Sequence, residues 1–290
     1  MKQRRPPWLK VRLRLGKDFG GLEKILKRWN LNTVCREAFC PNIGECFNQR
    51  TATFLILGNR CTRGCSFCGV KRGIPYPPDP DEPKRVAQAI KEIALTHAVI
   101  TSVTRDDLSD GGAMAFAQTI REIKVLQPDS VVEVLIPDLK GSKESLSIIL
   151  NASPHILGHN VETVPRLYPQ VRREADYKRS LEVLKISKKL YPSVAIKSGM
   201  MLGMGEKKEE VLQVMDDLRA ADCDLLTLGQ YLPPAAGSFL LERYYSPQEF
   251  QEFFQEGMKR GFRWVESGPL VRSSYHAKKQ WKHYLNFPCG

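Results

Sequence analysis

Between residues 53 and 232 the chain alternates short, nearly continuous apolar runs with longer amphipathic stretches. The runs at 53–58, 98–103, 131–136, 156–161, 194–202 and 225–232 predict strands. The stretches at 83–96, 112–127, 143–151, 175–191 and 207–221 repeat their apolar positions with helical spacing and predict helices. Strands without an inside–outside alternation, separated by helices, predict a parallel sheet covered by helices, either open and doubly wound or curved into a partial barrel. In a barrel of this kind chemistry gathers on the loops at the C-terminal ends of the strands.

Composition narrows the class without changing that picture. The chain has 290 residues, 42% hydrophobic and 26% charged, enough to bury a sizeable core as one large domain or two small ones. Disordered, collagen-like and coiled-coil classes fall away. The densest apolar run in the first half, 54–57, is far short of the roughly 20 residues that span a bilayer. The first seventeen residues carry Lys2, Arg4, Arg5, Lys10, Arg12, Arg14 and Lys17 with no acid, and no apolar segment of secretory type follows. A membrane is therefore not an expected partner.

Six of the eight cysteines lie between Cys35 and Cys68. A disulfide framework suits small secreted chains that lack a core, so a metal or redox role is the better expectation. The six form two triplets, Cys35/Cys40/Cys46 and Cys61/Cys65/Cys68. Structural zinc sites usually close a tetrahedron of four Cys or His ligands, and no His lies near either triplet. Three thiolates on a short loop suit a cubane iron–sulfur cluster with one iron left open to bind something else. Cys223 reads as a small buried hydrophobe and Cys289 as a bystander.

The second triplet, Cys61-Thr-Arg-Gly-Cys65-Ser-Phe67-Cys68, directly follows the first strand and resembles the signature of the radical S-adenosylmethionine superfamily. The resemblance implies a six-unit partial (β/α)6 barrel. It also implies a [4Fe-4S] cluster whose free iron holds S-adenosylmethionine and whose electron releases a 5'-deoxyadenosyl radical. Polar groups close several of the later strands: Ser102–Asp107 with Asp110-Gly111-Gly112, His159-Asn160-Val-Glu162-Thr163, and Ser198–Glu206 with Gly203. Each alone reads equally as turn residues and caps, with Asp110 and Thr163 starting helices. The resemblance implies ribose contacts at Asn160 and Glu162, adenine near Gly203, the methionyl amine near Gly111 and Gly112, and Phe67 beside the cofactor. Gly112 is followed by Ala113 where the superfamily often has Glu.

The segment Cys35-Arg-Glu-Ala-Phe-Cys40-Pro-Asn-Ile-Gly-Glu-Cys46 and the distant Arg272-Ser273-Ser274-Tyr275-His276-Ala277 together resemble the lipoyl synthase family. Asp106-Asp107, Pro165–Tyr168, Ala175–Tyr177 and Leu228–Tyr231 extend the likeness from about Trp29 to Ala277. The resemblance implies a second, auxiliary [4Fe-4S] cluster on Cys35, Cys40 and Cys46, with Ser273 as its fourth and catalytically essential ligand and Ser274 as the alternative. An oxygen ligand, harder than thiolate, suits a cluster that is dismantled in use. The implied reaction inserts two sulfur atoms at C6 and C8 of a protein-bound octanoyl-lysine, taking sulfur from the auxiliary cluster and consuming two S-adenosylmethionine molecules. Such C–H bonds are too strong for acid–base chemistry, so none of the five His is needed as a base. His159 is placed near the cofactor, and His97, His155, His276 and His283 are read as packing or surface residues.

The expected organisation is an N-terminal extension at 1–50, a radical SAM barrel at 51–240 and a C-terminal extension at 241–290. Implied partners are an octanoylated lipoyl domain or glycine-cleavage H protein, an electron donor and an iron–sulfur carrier. The clusters imply reducing surroundings, a cytoplasm or an organelle matrix or stroma. The formal charge of +12 reads as a docking surface for an acidic carrier. Nucleic acid is not expected, because no recognisable module interleaves the basic residues with aromatics. Other readings are a biotin synthase-like enzyme, a methylthiotransferase, or a zinc or nucleic-acid binding protein. The chain departs from the family's pattern at Lys207-Lys208 and at Ala235–Phe239.

Overall fold

The structure is a computed structural model that describes residues 4–11 and 16–287, so Cys289, with Lys2, Arg12 and Arg14, lies outside the described residues. The strands are β1 (Asn32–Thr33), β2 (Thr53–Ile56), β3 (Arg60–Cys61), β4 (Lys71–Arg72), β5 (His97–Ser102), β6 (Val131–Leu135), β7 (Ile156–Gly158), β8 (Ala195–Leu202), β9 (Leu225–Gln230) and β10 (Trp264–Gly268). The helices are α1 (Lys17–Arg28), α2 (Val34–Glu37), α3 (Ile43–Asn48), α4 (Glu82–Ile93), α5 (Ala113–Leu126), α6 (Lys143–Asn151), α7 (Tyr168–Val171), α8 (Tyr177–Leu190), α9 (Lys208–Ala220), α10 (Pro247–Lys259) and α11 (Ala277–Asn286). One eight-stranded sheet runs β1-β2-β5-β6-β7-β8-β9-β10, and β3 pairs with β4 in a separate ribbon. Every pairing from β2 to β10 in that sheet is parallel, and only β1 is antiparallel. The two end strands do not meet, so the wall is a partial barrel.

The expected strands and helices stand where the hydrophobic pattern put them. Most strands end earlier than expected, because residues such as His159 to Val161 turn out of β7 into the loop above it. Helix α4 stops at Ala94, which takes the left-handed conformation (φ 59°). The edge strands β1 and β10 and the helices α1, α10 and α11 were not expected. β10 is short and carries Glu266 between Val265 and Ser267, which hides it from an apolar-run criterion. α10 had a legible start: Ser246 and Glu249 form a reciprocal capping box, worth about 1 kcal/mol, ahead of the buried Phe250 and Phe253.

Because side chains alternate across a strand, each strand serves two cores. Outward-facing Ile100, Val134, Leu157, Ile196, Leu226 and Val265 pack beneath the helices in one continuous apolar layer. Inward-facing Ile156, Ala195 and Leu225, at the N-terminal ends of β7, β8 and β9, form a second, small cluster with Trp264, Trp281 and Tyr284. Helix α11 thus seals the bottom of the barrel, leaving only the strands' C-terminal mouth for a site. Just above this seal Glu133 accepts a hydrogen bond from Lys197 Nζ (2.7 Å) and pairs with His97 Nε2 (3.0 Å), all three buried. Burial pushes the Glu133 carboxyl up, but Lys197 and His97 outweigh it and hold it down at about 2. Among the described residues no helix is long and apolar enough to cross a membrane.

Candidate active site

The loop after β2 begins with Leu57 (φ 66°) and Gly58 (φ 86°), and the buried Glu82 accepts from the Leu57 amide at 2.7 Å. That turn sends the chain into the ribbon of β3 and β4, between which lie Cys65 and Cys68. Three neighbours fix the loop through its backbone: Thr62 N donates to Thr104 O (3.1 Å), Ser66 N to Val171 O (3.0 Å), and Phe239 N to Ser66 O (2.8 Å). Arg63, between the first two cysteines, clamps it further. Its buried guanidinium donates to Asp106 at 2.6 and 2.8 Å and to Asp138 at 2.9 and 2.8 Å. Burial alone would lift the Asp138 carboxyl, but Arg63 holds it down at about 2. A bidentate pair of this kind, with both partners satisfied, locks geometry. Asp106 and Asp138 were not expected to act together; the sequence places them thirty-two positions apart on two different loops.

The first triplet sits on α2, the turn after it and α3, against the β1 edge. Cys35 lies in α2, Cys40 follows Phe39 (φ 51°), and Cys46 lies in α3. Burial drives these thiols up, Cys35 to about 11 and Cys46 to about 12, and the neighbouring cysteines push in the same direction. Cys40 is raised by burial and eased by Arg272. In the second triplet burial raises Cys65 and Cys68, the latter to about 12, with Arg172 opposing the rise at Cys65. Ionised, these buried sulfurs would repel one another, and a positively charged iron core would relieve that repulsion. That donor chemistry fits a cluster held by three thiolates. Among the described residues no group of three or more His, Cys, Asp or Glu is placed to hold a single metal ion.

The chain's C-terminal part returns to the first triplet. After β10 it turns across the sheet so closely that a Cβ on Gly229 would stand 2.0 Å from Val271 O. Asn42 Nδ2 then donates to Leu270 O (2.7 Å), and Tyr275 OH bonds Glu45 (3.1 Å). The two serines are held by different partners. Ser273 Oγ accepts from Asn160 Nδ2 (2.6 Å), and Ser274 Oγ accepts from Thr53 Oγ1 (2.7 Å). Thr53 also stands close enough to the Cys35 thiol to oppose the rise of its pKa, so it lies between Ser274 and the first triplet.

These segments enclose a cavity of about 470 Å³. Cys35 and Cys40 of the first triplet, Cys61, Cys65 and Cys68 of the second with Phe67, and Asn160, Glu162, Ser273 and Ser274 all line it. Leu55, Val103, Leu135 and Met200 supply apolar wall between. Asn160 Nδ2 also donates to Glu162 (3.1 Å). Burial raises the Glu162 carboxyl, and Arg172 opposes it most. Arg172, which no sequence feature singled out, donates to Asn160 O (2.9 Å) and to the Tyr168 hydroxyl (3.1 Å) and so fixes the loop that carries both. Four buried polar atoms of lining residues have no hydrogen-bond partner among the described residues: Ser102 Oγ, His159 Nε2, Asn160 Oδ1 and Arg172 Nε. Buried polar groups are rarely left so, and their chemistry fits a polar ligand in this cavity. His159 is neutral, its pKa lowered to about 4 by burial and by Arg172.

Three expected cofactor contacts are not on this wall. Gly111 (φ 61°) and Gly112 (φ 92°) shape the start of α5, where Cβ atoms would meet Leu139 at 3.0 Å and Leu57 at 2.4 Å. Gly203 (φ 115°) packs against Gln230 Nε2 and Arg243 O, where a Cβ would stand 2.2 and 2.6 Å away. Their positive φ angles and crowding account for glycine without a ligand. Asp110 caps α5 as the alternative reading had it, accepting from Gly112 N (2.9 Å) and Met114 N (2.8 Å). Thr163 caps nothing, and its hydroxyl is buried without a partner. Cys46 does not line the cavity but lies within electrostatic reach of Cys35 and Cys40, which do. Of the histidines read as packing residues, His155 packs edge-on against Trp281, His283 stacks on Trp264, and His276 approaches Glu45 and Glu266. Cys223 is fully buried, as expected.

A partial parallel barrel with three cysteines on the loop after its first parallel strand, opening into a cavity with unsatisfied polar atoms, defines a radical SAM protein. The family model of the radical SAM superfamily matches residues 55–218. Solved structures agree at the level of the fold. A methylornithine synthase superposes with a TM-score of 0.56 at 16% identity, over 86% of this chain and 71% of that one. A maturase of the [FeFe]-hydrogenase gives 0.59 at 12% identity, over 86% and 66%. A model of the N-terminal domain of lipoyl synthase matches residues 1–40. The lipoyl synthase of Caldanaerobacter subterraneus subsp. tengcongensis is 54% identical over 277 residues, 96% of this chain and 97% of that protein. That of Alkaliphilus metalliredigens is 50% identical over 275 residues, 95% of each chain. The chain belongs to the lipoyl synthase family.

Proposed function

We propose that the chain makes the lipoyl group by inserting sulfur at C6 and C8 of an octanoyl chain carried on a protein lysine, a sulfurtransferase reaction dependent on S-adenosylmethionine. Cys61, Cys65 and Cys68 would hold the radical cluster, and Cys35, Cys40 and Cys46 with Ser273 the auxiliary one. Bound there, the first supplies the electron that cleaves S-adenosylmethionine and the second supplies sulfide. Asn160 and Glu162 would orient the ribose, with Phe67 beside the cofactor. The apolar wall of Leu55, Val103, Leu135 and Met200 would accept the octanoyl chain and keep water from a reactive carbon. Arg172 and Arg63 are positioning residues: they hold the Asn160 loop and the Cys61–Cys68 loop in register. The further partners are an octanoylated lipoyl domain or H protein, an electron donor and an iron–sulfur carrier protein that restores the auxiliary cluster, in a reducing compartment such as the cytoplasm.

The observation that carries this reading is that thiols from both triplets, and both serines of the C-terminal motif, wall a single cavity. The test is anaerobic incubation with reductant, S-adenosylmethionine and an octanoyl-lysine peptide, followed by mass measurement. A gain of two sulfur atoms is expected, and sulfur-free peptide from protein with both clusters intact would overturn the reading. Ser273→Ala is expected to stop sulfur insertion while S-adenosylmethionine is still cleaved. If Ser273→Ala and Ser273→Cys both keep full product formation, the ligand assignment fails.

A further inference from the structure

Three loops meet at the mouth of the cavity. A Cβ placed on Gly69 would stand 3.1 Å from Ala38 and 3.2 Å from Pro234, so the first-triplet turn, the loop after Cys68 and the loop after β9 touch there. On these loops four large apolar side chains face solvent: Phe39 is 69% exposed, Ile74 87%, Tyr76 64% and Leu240 72%. Of the four, Phe39 lines the cavity itself, and the others lie on the loops that converge beside it. Leu240 follows Phe239, whose amide is tied to the Cys61–Cys68 loop, and Tyr76 lies under the Arg60 guanidinium at 4.9 Å. Scattered exposed apolar residues are ordinary; four on loops that converge on one opening point to an interaction surface.

The same rim is basic. Arg5 lines the cavity, Arg60 precedes Cys61, and Lys71 follows the lining residue Val70. These three cations have no acidic partner among the described residues, whereas Arg72 beside them is engaged with Glu174 at 2.8 Å. Arg243, on the loop after β9, pairs with Glu249 at 2.7 Å; the acids on these loops are Glu37, Glu242, Asp81 and Asp79, the last paired with Arg85 at 2.9 Å. Arg5 is brought there by the segment before it reaches Leu9, which is buried, and by Trp8, whose indole donates to Tyr245 O at 3.2 Å.

We propose that this rim of Phe39, Ile74, Tyr76 and Leu240, set among Arg5, Arg60 and Lys71, is the docking surface for a folded acidic protein domain that presents the acylated lysine to the cavity. The proposal rests on the sulfur-insertion reading and adds where the carrier is gripped. An acyl-lysine alone would need only the apolar cavity. A surface with exposed aromatics and unpaired cations at its mouth fits a partner that brings its own acidic face, and charge there governs encounter and orientation more than residence.

The test compares two substrates, an octanoylated acidic carrier domain and a short octanoyl-lysine peptide, in the wild type and in two double variants, Arg60→Glu with Lys71→Glu and Tyr76→Ala with Leu240→Ala. We expect kcat/KM on the carrier to fall on the order of tenfold in each variant, while peptide turnover stays at the wild-type level. The carrier reaction should also lose most of its salt sensitivity in the charge-reversed protein. Unchanged carrier kinetics would overturn the proposal, and so would a parallel loss on the peptide, which would mean that the cavity itself had been damaged. Loss of single-stranded oligonucleotide binding in the charge-reversed protein, with carrier kinetics intact, would assign the rim to nucleic acid instead. Failure of the wild type on the peptide would defeat the sulfur-insertion reading, a result distinct from selective failure on the carrier.

Discussion

On the outer face of the barrel wall, Ile100, Val134, Leu157, Ile196 and Leu226 are buried against helices, and nothing in that layer is charged. The inner face of the same strands carries His97, Glu133 and Lys197, then Thr227, and glycines at 158, 199 and 229. The outer layer needs only apolar volume at the right period. The inner face must provide room for a returning segment and ligands, and it holds charge that is stable only because each charged group has a partner. One strand therefore obeys two sets of rules at alternate residues, and substitutions on its two faces should fail for different reasons.

The largest effect on stability should come from Lys197→Met. It leaves Glu133 buried with only His97 beside it, and removing one partner of a buried pair costs about 3–5 kcal/mol. Urea unfolding should show this as a lower midpoint, and a variant within 1 kcal/mol, roughly the scale of an ordinary surface change, would show that the inner charges are dispensable. Next comes Gly229→Ala. With Val271 O 2.0 Å from the new Cβ, the return segment must move, at about 1–3 kcal/mol. Its distinguishing mark is a loss of iron confined to the first triplet, read by iron content and absorbance, whereas an outer-face change should leave iron untouched. Ile100→Val should cost only about 1 kcal/mol, by trimming one methyl from a well-packed layer, and leave activity unaltered.

The smallest effect is a slope. The Glu133 carboxyl is held at about 2 against its ordinary 4.5, so the folded chain binds fewer protons than the unfolded chain between those values. Its contribution is fully present above about pH 4.5 and is lost as pH falls toward 2. Asp138, held at about 2 by Arg63 against an ordinary 3.8, acts in the same direction. Urea midpoints taken at successively lower pH should fall less steeply in Glu133→Gln than in the wild type, and parallel curves would remove the inner pair from the acid response.

The outer face was the legible one. Apolar runs and helical periods located the inner strands and the helices around them, because burial under helices imposes the same pattern wherever it occurs. The edge strand β10 was not legible: Glu266 and Ser267 break the apolar run that Trp264 and Val265 begin. The cysteine triplets and the Ser273-Ser274 pair stood out by spacing and by likeness to a family. Arg63 with Asp106 and Asp138, Thr53 with Ser274, and Arg172 with Asn160 did not, since each joins residues that meet only after the barrel has formed. The glycines at 111, 112 and 203 lie off the cavity's lining, and their positive φ angles show a backbone requirement, which calls for the same residue type as a ligand contact does.

By itself, then, the sequence determined the parallel α/β wall, the two sets of three thiols and the family, because periodicity and ligand spacing are local properties of the chain. Only the tertiary structure decided how the segment more than two hundred residues away, which the family likeness brings to the first triplet, is held there, that the two serines answer to Asn160 and Thr53 separately, and that α11 seals one end so that the other becomes the site. Those outcomes depend on which strands stand side by side and how closely a carbonyl can approach a residue without a side chain. No local pattern encodes that distance; it is set by packing the whole barrel at once.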